Sequence, residues 1–528
     1  MARLFVGHKP GVGGVVKVMR YNSDDPLTTP NNHYGKFLFN SENTKLAYVK
    51  DITSYKYDSS ITSNGIYYYP SGSNYGNALR RLDRTGDSGV SYQYNFIIPG
   101  RIIGRGDIPI VAELRPKKPF GAERMRPMSR YVPVREQWDL EYYYGENVTH
   151  ASYMVWLQPT FGQSSPTYDL GAPVVCHVRR YLDNWAVQRT FASDSPDVET
   201  ICSILDLPAA NNPMPSSPAG APGSRNTLIT PSLVRIGKAG VNADSGGDNV
   251  IADSTAIPLK VVRTGQVNVN AGSYVDVSSP WPLSENSYLD YIAWRAGEPL
   301  IWPEPVSGVA YVGDWSIRIT YAVYSDKVRI YNRGNVNATV RYLICSDDTQ
   351  TTTGGNTVFR RLSDGNIQIK RPGSSDTAPK DGDIILDTRF SYLPIIAEGY
   401  VHRNSFTSDT SNRTLGDRKY TVTFPNDGSF VPYVKFYPYL EGGVIRFGRI
   451  TTLRPRRIGS PGGWGTYDGW ASSRNAVAQI TNTSVTFWLA TGHPHELSLH
   501  SGGFNPVYNN SQRPLAIRYY IFALPVSF

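Results

Sequence analysis

The feature that most constrains this chain is an internal repeat. Asp387-Thr388-Arg389 opens a segment that runs through Leu393-Pro394-Ile395-Ile396-Ala397-Glu398-Gly399, and Ile367-Gln368-Ile369-Lys370-Arg371-Pro372-Gly373 precedes it. A second copy reads Leu233-Val234-Arg235-Ile236-Gly237-Lys238-Ala239-Gly240, then Asp253-Ser254, Leu259 and Gly265. The steps from Asp253 to Leu259 and Gly265 equal those from Asp387 to Leu393 and Gly399. A weaker third copy opens the chain: His8-Lys9-Pro10-Gly11, Phe37-Leu38-Phe39-Asn40-Ser41, then Leu46. A strand-turn-strand unit used three times specifies an array of related modules. Asn40, Asp253 and Asp387 share one place in the repeat, and an Asx turn accepts Asn or Asp alike. The sequence therefore predicts turn capping at these residues, with Leu46, Leu259 and Leu393 buried in equivalent strands.

Aromatic and turn-forming residues set the fold class. The 528 residues include 36 Tyr, 48 Gly and 38 Pro, while charged residues are sparse at 18%. That mixture favours strands over helices. The expected fold is all-β: tandem antiparallel β-sandwich modules, Ig-like or jelly-roll-like, joined by Pro/Gly-rich linkers, with very little helix. The units are 1–207 (one domain or two subdomains), a Pro-rich linker 208–231, a middle module 232–345, a linker 346–357 and a C-terminal module 358–528. One helix is expected, from Ser195-Pro196-Asp197 to about Leu207, because Ser195 can cap and Pro196 suits a first turn. Trp315–Tyr321, Val328–Asn332 and Thr339–Ile344 alternate between polar turns, which predicts an antiparallel meander with one buried face.

The chemistry-bearing residues point to binding. No nucleophile elbow, phosphate loop, zinc-protease or dinucleotide motif is present, so enzyme activity and a cofactor are not expected. Cys176, Cys202 and Cys345 are too few and scattered for a disulfide framework, and free buried thiols are expected. His493-Pro494-His495-Glu496 with His500 is the one metal-like cluster; the competing reading is a surface loop. The densest basic stretch holds Arg115, Lys117, Lys118, Arg124, Arg126 and Arg130. It could grip a phosphate backbone, but its prolines and irregular aromatics fit an extended arm docked on an acidic neighbouring subunit. Trp464, Tyr467 and Trp470 sit among glycines, as stacking platforms for a host-surface glycan or as interface anchors. The net charge of +9 permits anionic partners without requiring nucleic acid. The N-terminus lacks the pattern of a signal peptide, and no apolar run reaches the ~18 residues of a membrane helix.

Lys9-Pro10-Gly11 with Phe39-Asn40-Ser41, and Arg371-Pro372-Gly373 with Leu386-Asp387-Thr388, resemble short modules of structural proteins of tailed bacteriophages. The ending Ile517-Arg518-Tyr519-Tyr520-Ile521-Phe522 is similar to endings in that family; Lys238-Ala239-Gly240 departs from the pattern at the proline. The resemblance implies a virion component of the tail tip, baseplate or a fibre attachment. It would be made in the host cytoplasm, assemble with other virion proteins and form a homo-oligomer, a trimer or a higher ring. Two other functions are kept: a receptor-binding protein using the Trp464–Trp470 loop, and a polysaccharide-degrading enzyme with a carboxylate pair.

Overall fold

A computed structural model describes residues 3–43, 46–47, 49–55, 65–69, 77–83, 90–98, 111–116, 119–125, 128–129, 155–156, 175–181, 184–192, 200–205, 211, 225–245, 250–255, 260–301, 317, 319–346, 350–391, 393–409, 418–439, 456–459, 466–469, 476–489, 496–500, 503–507 and 515–526. The strands fall into three units in chain order. The first holds β1 (Arg3–Lys9), β2 (Gly13–Met19), β3 (Phe37–Asn40), β4 (Leu46–Ala47), β5 (Val49–Tyr55), β6 (Gly65–Tyr69), β7 (Asn77–Asp83), β8 (Val90–Ile98), β9 (Val111–Pro116), β10 (Glu123–Met125), β11 (Met128–Ser129), β12 (Val155–Trp156), β13 (Val175–Tyr181), β14 (Asn184–Ala192) and β15 (Thr200–Leu205). The second holds β16 (Thr227–Ile229), β17 (Val234–Gly237), β18 (Val250–Asp253), β19 (Lys260–Val269), β20 (Tyr274–Ser278), β21 (Tyr288–Arg295), β22 (Leu300–Ile301), β23 (Ile319–Val323), β24 (Lys327–Asn332) and β25 (Ala338–Ser346). The third holds β26 (Phe359–Arg361), β27 (Ile367–Lys370), β28 (Ile384–Asp387), β29 (Leu393–His402), β30 (Thr407–Ser408), β31 (Arg418–Thr423), β32 (Phe430–Tyr439), β33 (Arg456–Gly459), β34 (Thr466–Gly469), β35 (Ala476–Ile480), β36 (Ser484–Leu489), β37 (Glu496–His500), β38 (Gly503–Val507) and β39 (Ala516–Pro525). The chain is all-β; among the described residues helix is limited to 3-10 turns.

Each unit opens with a small antiparallel sheet: β1-β2-β3, β16-β17-β18 and β26-β27-β28. The three sheets share their register. Val18 faces Phe39, Ile236 faces Ala252 and Ile369 faces Leu386, and in all three the ladder slips by one residue at the next pair. A bulge kept at one place in three sheets is part of the design of the unit. The central strands contribute Val16, Val18, Val234, Ile236 and Ile369 to one core, and the third strands contribute Leu38, Phe39, Ile251, Ala252, Ile385 and Leu386. A three-stranded sheet with one apolar face cannot bury that face alone, and here the three sheets bury theirs in one shared cluster. Each pair of units is also joined directly. The Asn226 side-chain amide donates to the Gly14 carbonyl at 2.6 Å, Lys260 donates to the Asp381 carbonyl, and Arg20 donates to Ser391 Oγ at 3.0 Å. The three repeats thus form one cap with a shared core, and every pair of units is joined.

The remaining strands of each unit include two sheets of one strand order, and in the second and third units they enclose a shared hydrophobic core. In the second unit the sheets contain β19-β25-β21 and β20-β24-β23; in the third, β29-β39-β32 and β31-β36-β35; in the first, β5-β15-β9 and β8-β14-β13. Apart from the hairpins β13–β14, β23–β24 and β35–β36, which stay in one sheet, these strands alternate between the two sheets, and the last returns to the middle of the first sheet, the jelly-roll manner of covering strand edges. Hydrophobic side chains of the second and third sandwiches join in one core, from Val277, Val328 and Ile330 through Tyr342 to Tyr433, Phe436 and Phe522. The repeat spacing now has a physical cause. Gly265 faces Tyr342 and Gly399 faces Tyr519 across the ladder. A Cβ on Gly265 would lie 2.6 Å from the Tyr342 hydroxyl, and one on Gly399 2.8 Å from that of Tyr519. Only glycine leaves room for the tyrosine ring to lie over the neighbouring strand. In the first unit the corresponding Ile52 faces Ser203, and the device is absent.

Five expectations are corrected. The predicted helix at 195–207 contains a strand, β15, which pairs with β5 on one side and β9 on the other. Its Thr-Ile-Cys-Ser-Ile-Leu sequence suits a central strand, and two ladders outweigh a local cap. The predicted meander ends after β24, since β25 crosses to the other sheet and pairs with β19 and β21. Accordingly β24 alternates between buried and half-buried residues, whereas all of β25 is buried, with a neighbour on each face. The linker 208–231 ends early, because β16 lies within it and residues from Arg225 onward belong to the second cap sheet. In the linker 346–357, residues 350–357 are docked on the third cap sheet: Thr352 binds Asp383, and the Asn356 and Thr357 amides donate to Asp376. Finally, Lys9-Pro10-Gly11 occupies the β1–β2 turn, while Lys238-Ala239-Gly240 and Arg371-Pro372-Gly373 follow the central strand. All three glycines have φ between 75° and 79°, so the likeness records a shared demand for a left-handed residue in two different turns.

Candidate functional site

The geometry that sets this chain apart is the set of contacts that fastens three related units together. It begins with the three equivalent turns. The Val16 amide donates to Ser41 Oγ (2.9 Å), Val234 to Ser254 Oγ (3.0 Å) and Ile367 to Thr388 Oγ1 (3.0 Å). In return, the amides of Ser41, Ser254 and Thr388 donate to the carbonyls of Val16, Val234 and Ile367. The preceding Asx residue caps the turn each time. Asn40, Asp253 and Asp387 accept from the amides of Glu42, Thr255 and Arg389 at 3.0, 2.9 and 2.9 Å, as the shared spacing predicts. Arg235 faces Asp253 and Gln368 faces Asp387 across the ladder, bonding at 2.7 and 2.6 Å. In the first sheet Lys17 holds this place and reaches instead to Asn31 and Glu42, at 2.9 and 2.5 Å. Burial pushes the Glu42 carboxyl up, but bonds from Lys17, Lys9 and Asn31 outweigh it and leave the group below the usual carboxylate range. Lys370, fully buried, pairs with Asp376 at 2.8 Å. That carboxyl lies well below its usual range because Lys370 and the amides of Asn356 and Thr357 favour its charged form.

The second set of contacts joins neighbouring units by lent strands. β10 of the first unit adds to the edge of β23 in the second, and β22 of the second adds to β35 in the third. Both follow the third strand of their own sandwich, and both cap the same edge of the next one. β4 of the first unit pairs with β29 of the third. The third unit reaches the second in a related way, with the Ser391 amide donating to the Val261 carbonyl at 2.8 Å. Covering edges within one chain removes sites at which strands of other chains would add.

Polar side chains complete the joint between the second and third sandwiches. Lys435 Nζ lies 2.5 Å from Asp290 Oδ2, with side chains 4% and 2% exposed. Arg341 donates to the Pro432 carbonyl and to Gln266, and lies over the Trp294 ring at 5.2 Å; burial lowers its pKa to about 10. Thr264 Oγ1 donates to the Pro525 carbonyl at 2.9 Å. Trp281 meets Phe390 edge to face at 4.9 Å, and Arg389 stacks on Trp281 at 4.2 Å. The first unit reaches the third through Gly35, whose amide donates to Ser429 Oγ; a Cβ on Gly35 would lie 1.9 Å from the Ser429 carbonyl. These groups are engaged with one another across the joints.

The residues singled out from sequence are distributed as follows. Arg124 lies on β10 opposite Tyr321, so this part of the basic stretch is a strand docked on the second unit. Beside it Glu123 takes two bonds from Arg333, at 2.8 and 3.1 Å, and one from Thr320. Arg115 lies on β9 opposite Ile201, and Tyr467 on β34 opposite Ile458. Lys117, Lys118, Arg126, Arg130, Trp464, Trp470, His493, His495 and Leu259 lie outside the described residues. Among the described residues no group of three or more His, Cys, Asp or Glu side chains could hold a metal ion, and no helix is long and apolar enough to cross a membrane. Cys345 is a buried free thiol, and Leu393 is buried at the start of β29. Sequence reasoning missed Glu123, Asp290, Arg341 and Lys435. Arg341 and Lys435 each interrupt an apolar strand, a signal for a buried ion that alternation alone reads as an outward-facing position.

No protein-family model matches the chain, and no curated protein or solved structure matches it.

Proposed function

We propose that this protein is a structural component of a tailed bacteriophage particle, placed at the tail tip, baseplate or a fibre attachment and acting by protein–protein assembly. One observation carries the proposal: a single chain builds from repeats what assemblies usually build from three subunits. Three cap sheets with one register share one core, and sandwiches of one strand order exchange edge strands. Closed rotational symmetry is the usual rule of protein assemblies. A chain of this kind matches a threefold neighbour as one copy. Jelly rolls are common building blocks of viral shells, and the phage-like motifs of the repeats fall on the cap.

The experiment is to purify the particles and locate the chain in them by labelling and image reconstruction. The proposal expects it at the tail or fibre junction, and its absence from intact particles would overturn the proposal. A paired substitution, Trp464→Ala with Trp470→Ala, separates the receptor-binding alternative. Particles that assemble normally yet fail to adsorb would favour glycan recognition, and particles that lose the chain would favour assembly.

A further inference from the structure

One buried lysine of the cap has more than an ion pair around it. The Lys17 side chain on β2 is fully buried, and that of Glu42 beside it is 9% exposed. Lys17 faces Asn40 across the ladder. Its equivalents Arg235 and Gln368 bond across their ladders to Asp253 and Asp387, whereas Lys17 turns to the connection between β2 and β3. There its Nζ donates to Asn31 Oδ1 at 2.9 Å and lies 2.5 Å from Glu42 Oε2. The Asn40 side-chain amide donates to the same Asn31 oxygen at 3.0 Å. Asn31 also lends Glu42 a side-chain hydrogen bond, which only its amide nitrogen can donate. The Phe37 ring lies 5.5 Å from Nζ. An amine, a carboxamide and a carboxylate therefore meet in a site that the protein largely encloses. Lys370 is as deeply buried, but its partners among the described residues are Ser374 and Asp376, neither of them a carboxamide.

We propose that Lys17 and Asn31 join in an intramolecular isopeptide bond, with Glu42 as the proton carrier. Glu42 takes a proton from the Lys17 ammonium, and the free amine attacks Asn31 Cγ, one bond beyond the oxygen that Nζ already touches. Asn40 stabilises the charge that develops on Oδ1. Glu42 then protonates the departing Asn31 Nδ2 and takes the second Nζ proton. The Cγ–Nδ2 bond breaks, the Cγ–Nζ bond forms, and ammonia leaves with the Glu42 proton as ammonium. Nothing is oxidised or reduced, and no co-reactant is consumed. Positioning lowers the barrier, because groups held at hydrogen-bond distance react without first having to meet. The connection that the bond fixes carries Tyr34 and Gly35, which meet Phe430 and Ser429 of the third unit. The link therefore strengthens the joint between the first and third units.

Intact mass spectrometry of the purified full-length protein should find a mass one ammonia below that of the sequence. Trypsin does not cut at a lysine so modified, and Lys9 precedes Pro10, so digestion should yield residues 4–20 joined to residues 21–36 as one branched peptide. Tandem fragmentation should place the branch at Lys17 and Asn31. Lys17→Arg keeps the charge and should show its unmodified sequence mass. Glu42→Gln keeps the size of the side chain but cannot carry the proton. In a time course after cell-free synthesis it should form the bond about 10²-fold or more slowly than the wild type, with the same circular dichroism spectrum. Wild-type protein at its sequence mass, ammonia loss with the two peptides separate, a branch at any other pair, or equal rates for Glu42→Gln and wild type would overturn the inference. The wild-type mass and branched peptide decide the bond whether or not the variants fold.

Discussion

Replacing Lys435 by Met should destabilise the protein by about 3–5 kcal/mol, because it removes one partner of a buried ion pair and strands the other. The pair spans the joint between the second and third sandwiches, with Nζ and Oδ2 2.5 Å apart and the side chains 4% and 2% exposed. Asp290 lies on β21 and Lys435 on β32, so the loss should fall on the joint. The double substitution Lys435→Met with Asp290→Leu removes both charges and leaves apolar bulk in an apolar setting. Such replacements are commonly neutral or stabilising by about 1–4 kcal/mol. The double variant should therefore recover most of the stability lost by the single one, with a coupling energy above about 2 kcal/mol. Urea unfolding followed by fluorescence gives the four corners of the cycle. A cost below about 1 kcal/mol for Lys435→Met, or additive costs in the double variant, would refute the buried joint, because those values belong to exposed ion pairs.

Other outcomes follow from the repeats and the exposed charges. Gly265→Ala should cost about 1–3 kcal/mol by forcing Tyr342 off the strand, and Gly399→Ala should act likewise on Tyr519; unfolding midpoints unchanged from wild type would contradict the close approach. Ser254→Ala should cost about 0.5–1.5 kcal/mol for the lost bond to the Val234 amide, whereas Ser254→Thr should be tolerated because Thr388 fills the same place; equal losses would show that the hydroxyl is incidental. Asp276 is held down to about 2, chiefly by the hydrogen bond from Arg329 and then by that from Lys327. Its folded pKa is depressed, so its contribution is present above the ordinary carboxylate range and is lost as pH falls from about 4 towards 2. A carboxyl NMR titration should place its midpoint near 2 in the wild type and higher in Arg329→Gln; a midpoint near 4 in both would contradict the pairing.

Much of the fold was legible in sequence, and the physical reasons for the gaps are local. Asn40, Asp253 and Asp387 were readable as turn caps because capping depends on a side chain and an amide two residues away. The strands β24, β25, β36 and β39 were readable because their apolar content is high. Which strands pair was hidden: β24 and β25 adjoin in sequence, yet the crossover between sheets is dictated by the buried faces of distant strands. The same limit produced the helix expected at 195–207, where a good cap motif yields to the two ladders of β15. The shared cap was not readable either. The repeats showed three modules, but only their shared apolar positions in space show that they make one core. The joint residues Lys435 and Arg341 look like solvent-facing positions because alternation assumes one wet face, and here a second sandwich covers it.

The claim that the three repeats form one core is tested most directly by hydrogen exchange on Ile236→Ala. This substitution empties a buried site in the second cap sheet at a cost of about 2–5 kcal/mol, and each 1.4 kcal/mol is about tenfold in exchange rate. If the cap is one cooperative unit, the amides of Val16 and Ile367 in the other two sheets should lose protection together with that of Val234, each by about 30-fold or more. Faster exchange at Val234 alone, with Val16 and Ile367 unchanged, would mean that the three sheets are separate modules.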